Sequence, residues 1–166
     1  MWRVDAIMVK NESILVIDDD TFILDGLAMA LEVEGYCVNT AENGKEAIEK
    51  SYANSYNVAI IDWRLPDIEG TKLLRKLKET KPKMVKILLT GYPSMDNAID
   101  ALNEGADAFF LKPVNIELLT KRVSKLLKEQ EEMRALIEYA KVALEISRGI
   151  SSTKIDMTVG IPLVLR

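Results

Sequence analysis

Asp18, Asp19 and Asp20 follow one apolar run of the chain, Asp62 ends a second, Thr90 a third, and Lys112 a fourth. Several carboxylates in one pocket repel each other, and they stay ionised when a divalent cation or an ammonium lies among them. Oxygen ligands without imidazole or thiolate suit a hard ion, Mg²⁺ above all, which keeps several of its waters. A carboxylate beside such an ion can attack phosphorus and form an acyl phosphate. Lys112 and the metal would then neutralise charge on the phosphoryl oxygens, and the Thr90 hydroxyl could bond one of them. The 166 residues include no histidine, which removes Ser/His/Asp triads, imidazole acid/base chemistry and His-ligated metals from this chain.

These side chains meet only if the elements between them bring them together. From residue 13 short apolar runs alternate with amphipathic stretches, the pattern of parallel strands joined by crossover helices. Strands are expected at 14–17, around 36–39, and at 58–61, 85–89 and 108–111. The first helix spans 21–34, with Leu24, Leu27 and Leu31 on one face, Asp20 as its cap and Gly35 closing it in a left-handed conformation. Asn43 caps a second helix, Leu73, Leu74 and Leu77 face inward from a third, and Ser94 caps a fourth that ends before Gly105. The last begins near Asn115. Right-handed crossovers make this a doubly wound α/β sheet, whose crevice lies beyond the C-terminal strand ends. Those ends carry the residues named above.

ILVIDDD at 14–20, VAIIDWRLPDIEG at 58–70 and ILLTGYPSMDNAIDALNEGADAFFLKP at 87–113 resemble, in order and in register, the receiver domain of two-component response regulators. The resemblance covers about residues 12–128 and implies a flavodoxin-like five-stranded parallel sheet of order 2-1-3-4-5. It implies that Asp62 is the phosphoacceptor and that Asp18, Asp19, Asp62 and the backbone carbonyl of Arg64 hold Mg²⁺. Lys112 and Thr90 would stabilise the phosphoryl group, Thr90 and Phe109 would form the conformational switch, and the bond before Pro113 would be cis. The implied donor is a sensor histidine kinase or phosphotransfer protein, and the implied readout is a downstream protein target. The chain would then be a signalling domain rather than an enzyme. The wording TGYPS at 90–94 is similar to receivers of the nitrogen-regulation type. Trp63, Arg64 and Tyr92 are bulky rim residues, and a slow loss of the phosphoryl group is expected from them.

Two other functions remain open on the residues. A receiver-shaped scaffold would bind partners without phosphorylation. A haloacid dehalogenase-type phosphohydrolase would use Asp18 and Asp20, but Phe22 stands where that motif wants Thr or Val, and Asp62 has no role in it.

Past the last strand the helical pattern runs to about Ser147. Leu126, Gln130, Met133, Ile137, Ala140 and Leu144 step by four and three, a heptad seam on which a homodimer is expected. The organisation is thus an N-terminal arm (1–11), a receiver (12–128), a helical extension with coiled-coil character (129–149) and a tail (150–166) too short for a DNA-binding or ATPase output. With 48% apolar and 29% charged residues the chain fits one ordinary domain plus an appendage. A net charge of −4 offers no global positive field, so neither direct nucleic-acid nor membrane binding is expected. No secretory signal or apolar run of ~18 residues is visible, and a cytoplasmic location is expected. Cys37 is the single cysteine, which suits a reducing compartment; a buried, inert thiol is expected.

Overall fold

The computed structural model describes residues 11–92 and 94–148, which leaves the expected N-terminal arm, all but its last residue, and the C-terminal tail outside the described residues. Strands β1 (Ser13–Ile17) and β3 (Val58–Asp62) are apolar almost throughout, so both their faces need cover, and they lie side by side inside a five-stranded sheet. With β2 (Cys37–Ala41), β4 (Val85–Thr90) and β5 (Ala108–Leu111) the order is β2-β1-β3-β4-β5, all parallel, as expected. On one face, Leu24, Leu27 and Leu31 of α1 (Thr21–Val33) and Leu119 and Val123 of α5 (Ile116–Ser147) pack with Ile14, Val16 and Ile60. On the other, Ala47 of α2 (Gly44–Ala53), Leu73, Leu74 and Leu77 of α3 (Gly70–Thr80) and Ala101 of α4 (Met95–Asn103) pack with Leu15, Ile17 and Ile61.

Local chemistry sets the helix ends. Asp20 accepts from the N–H groups of Phe22 and Ile23, Asn43 from Glu46, Ser94 from Asn97 and Asn115 from Leu118. Gly35 and Gly105 take positive φ values of 93° and 97°, which a Cβ would disfavour. The β2 reading needs one correction: Cys37 is exposed. It opens the edge strand, where Cys37, Asn39 and Ala41 share one face and that face is covered only at Ala41.

Lys86 is 2% exposed, and its ammonium donates to the carbonyls of Lys81 (3.1 Å) and Met84 (2.6 Å), tying down the turn between α3 and β4. Burial lowers its pKa, Asp107 nearby raises it, and Lys78 lowers it; the net direction is down from 10.5. Between the lowered value and 10.5 the unfolded chain therefore carries more protons here than the folded one, and stability rises with pH through that window. Urea unfolding at a series of alkaline pH values should show this rise in the wild type and a flatter profile in Lys86→Met. Equal slopes would remove Lys86 as its source.

The chain divides into two compact units, residues 1–127 and 128–166. Leu126 packs with Leu127 against the α1 side of the first unit's core. Of the other expected seam residues, Gln130 is half-buried, whereas Met133, Ile137, Ala140 and Leu144 are exposed. No described helix is long and apolar enough to cross a membrane.

Candidate functional site

Chain winding reverses between β1 and β3, and the site forms at the C-terminal ends of these two neighbours. Asp18 follows β1 and Asp62 ends β3; they are 1% and 6% exposed. Lys112, just past β5, reaches both: its Nζ lies 2.5 Å from Asp18 Oδ2 and 2.5 Å from Asp62 Oδ1. The remaining oxygens are also engaged. Asp18 Oδ1 accepts from the Asp20 N–H at 3.0 Å, and Asp62 Oδ2 from the Arg64 N–H at 2.9 Å. Asp19 is exposed beside them, and one carboxylate oxygen from each of Asp18, Asp19 and Asp62 lies within 4.8 Å of the others. Three carboxylates with neither imidazole nor thiolate among them form a donor set that fits a hard dication.

The electrostatics of this triangle are uneven. Burial raises the Asp62 pKa and the Asp18 charge adds to it, against the Lys112 hydrogen bond and charge and the Arg64 N–H, which lower it; the net direction is up. For Lys112 burial works against the ammonium, yet hydrogen bonds and charges from both carboxylates outweigh it and hold its pKa above the ordinary value. The asymmetry follows from the count of partners. Lys112 faces two anions, whereas Asp62 shares one cation with another anion and is left short of positive charge. A dication beside these carboxylates would add to the charge compensation that Lys112 gives them.

The loop after Asp62 is held from three directions. The Gly70 N–H donates to the Trp63 carbonyl at 2.8 Å, and Arg64 and Glu69 form an antiparallel bridge. A Cβ on Gly70 would strike the Asp62 carbonyl oxygen and the Trp63 Cα, so glycine alone lets α3 begin this close to the strand end. At the loop's tip, Asp67 accepts from the Gly44 and Lys45 N–H groups, both at 2.8 Å, and so caps α2 from outside that helix. In the sequence Asp67 shows only as a turn residue, because its partners lie more than twenty positions upstream.

Thr90 ends β4 with no exposed surface, and its Oγ1 accepts from the Tyr92 N–H at 3.1 Å. Phe109 on β5 is half-buried and packs against the core on the α2–α4 side. The peptide between Lys112 and Pro113 is cis. Across the pocket rim the Arg64 guanidinium carbon lies 4.0 Å from the Tyr92 ring centroid, a cation–π pair joining the loop after β3 to the loop after β4. The sequence shows both as bulky but not that they touch.

Residues 14–124 match the family described as the response regulator receiver domain. A CheY-like receiver domain protein from Methanospirillum hungatei JF-1 is similar in structure, with 44% identity and a TM-score of 0.72 over 75% of this chain and 99% of that one. Transcriptional regulatory protein BasR of Escherichia coli is 31% identical over 115 residues, 69% of this chain and 52% of its own length. A cyclic di-GMP phosphodiesterase of Thermotoga maritima is 31% identical over 118 residues, only 32% of its length. The chain thus spans about half, or less, of these curated relatives.

Proposed function

The chain belongs to the response regulator receiver domain family, and on that premise we propose that Asp62 accepts a phosphoryl group from a partner histidine kinase or phosphotransfer protein. The observation that carries this reading is the shared ammonium: Lys112 holds Asp18 and Asp62 together at 2.5 Å each, with Asp19 alongside. Asp18, Asp19, Asp62 and the Arg64 carbonyl are the proposed ligands of Mg²⁺, which when bound supplies charge neutralisation to the transferring group.

An Asp62 carboxylate oxygen attacks phosphorus of the donor's phosphohistidine. The P–N bond breaks, the leaving imidazole takes a proton, and a P–O bond to Asp62 forms an acyl phosphate. Lys112 neutralises charge on the transferred oxygens. To bond one of them the Thr90 hydroxyl leaves the Tyr92 N–H, and the space it vacates admits Phe109, which repacks the surface around α4 and β5. This surface meets the downstream target. Asp20 is engaged as the α1 cap, which disfavours the dehalogenase-type mechanism that needs it at phosphorus. Incubation with a small phosphodonor and Mg²⁺, followed by intact-mass measurement, tests the reading. A gain of one phosphoryl group supports it, and no gain favours the unphosphorylated scaffold.

The Arg64–Tyr92 pair covers the rim that an attacking water must cross. An exposed cation–π contact contributes about 0.5–1 kcal/mol. If it must open for hydrolysis, Arg64→Ala should speed decay of the acyl phosphate roughly two- to fivefold, as followed by loss of label from purified phosphoprotein. An unchanged half-life would show that the pair does not gate water.

A further inference from the structure

The second half of α5 is more apolar than a two-stranded coiled coil requires. Glu131, Arg134, Glu138, Lys141 and Glu145, alternating in sign, fall on one narrow stripe at spacings of three and four, with Lys141 and Glu138 bonded at 2.9 Å. Nearly everything else is apolar: at about 100° per residue, positions 133–147 outside that stripe sweep an arc of about 220°. Leu136, Tyr139 and Ile146 are 61%, 75% and 62% exposed, as bare as Met133 and Leu144 on the expected seam at 57% and 54%.

This arc resolves into two seams. One is Met133, Ile137, Ala140, Leu144 and Ser147; the other is Leu136, Tyr139, Ala143 and Ile146, each one residue before a member of the first. A pair of helices would cover one seam and leave the other in water. The two also match each other in size. At three successive levels a large side chain on one stands beside a small one on the other: Tyr139 with Ala140, Leu144 with Ala143, Ile146 with Ser147. In parallel, in-register helices these levels coincide, so one copy's first seam meets the next copy's second seam with large against small. Such an interface is heterologous, and it closes into a ring when the rotation allows. The seams point about 100° apart, between the corner of a square and that of a regular pentagon.

We propose that residues 133–147 assemble this chain with further copies of itself into a closed parallel bundle of four or five helices, each helix using both seams. The self-complementary sizes select copies of this chain over a foreign helix, and the charged stripe is the bundle's solvent face.

Sedimentation equilibrium of the full unphosphorylated chain should give four or five chain masses. A monomer or dimer at all concentrations overturns the proposal, the monomer by pointing to cover within the chain. Tyr139→Ala and Ala140→Tyr should each reduce the assembly, one by a void and the other by a clash. Their combination keeps large against small with the seams exchanged, and it should restore the wild-type mass. Failure of the double variant to restore it, while circular dichroism shows helix content retained, also overturns the proposal.

Discussion

Asp62→Asn is expected to gain no phosphoryl mass from a small phosphodonor with Mg²⁺, under conditions where the wild type gains one. The amide keeps the size and most hydrogen bonds of the carboxylate but has no nucleophilic oxygen to form the acyl phosphate. The fold should survive. Burial already disfavours the charge at Asp62, so removing it relieves the pocket, while the bond from Lys112 to Asp18 remains. Thermal unfolding of the variant should therefore match the wild type within ~1 kcal/mol, and loss of labelling can be assigned to chemistry. Undiminished labelling of Asp62→Asn would move the acceptor elsewhere, with Asp18 or Asp19 the alternatives in reach.

Lys112→Met should have the larger effect on stability. It strips the shared ammonium from two carboxylates that are almost wholly buried. Removing one partner of a buried ion pair costs about 3–5 kcal/mol because the other charge stays unpaired. Lys112 itself is one-fifth exposed, so water can partly replace it, and roughly 3 kcal/mol is expected. The loss should shrink when Asp62→Asn is added, because one of the stranded charges is then gone. A double-mutant cycle in urea measures this coupling, and additive effects would refute it. Mg²⁺ in the unfolding buffer should also recover part of the loss, since a second cation can serve the same carboxylates. Labelling should fall with the single variant even where the protein is folded, as no ammonium remains to meet the transferred oxygens.

The two variants separate what the pocket does from what it costs. Lys112 ties Asp18 to Asp62 at two adjacent strand ends with Asp19 exposed beside them, and burial holds the Asp62 pKa above its ordinary value. On the proposed reading, a metal held by these carboxylates and Lys112 would divide the charge of the transferred group.

Much of the fold is legible in the order of residue types along the chain. Continuous apolar runs at Ile14–Ile17 and Val58–Ile61 require cover on both faces, which forces them into the sheet's interior, and Gly35 and Gly105 mark the helix ends as they do in the structure. Asp20, Asn43 and Ser94 act through neighbours two or three residues away, so their caps can be read from spacing alone. Cys37 departs from its expected burial because alternation sets which face a residue takes, but not whether anything covers that face at a sheet edge.

Sequence alone determined the residue types of the pocket, the absence of histidine from these 166 residues, and the strand ends at which Asp18, Asp62, Thr90 and Lys112 sit. Only the tertiary structure decided the contacts between distant segments. Lys112 bridges to an acid 94 positions upstream, Asp67 grips the start of α2, Arg64 stacks on Tyr92, and Lys86 turns a strand position into a loop anchor. The physical reason is range. Caps, helix ends and apolar periodicity arise from interactions a few residues long, while the balance of charge in a buried pocket depends on which side chains packing places within a few ångströms of one another.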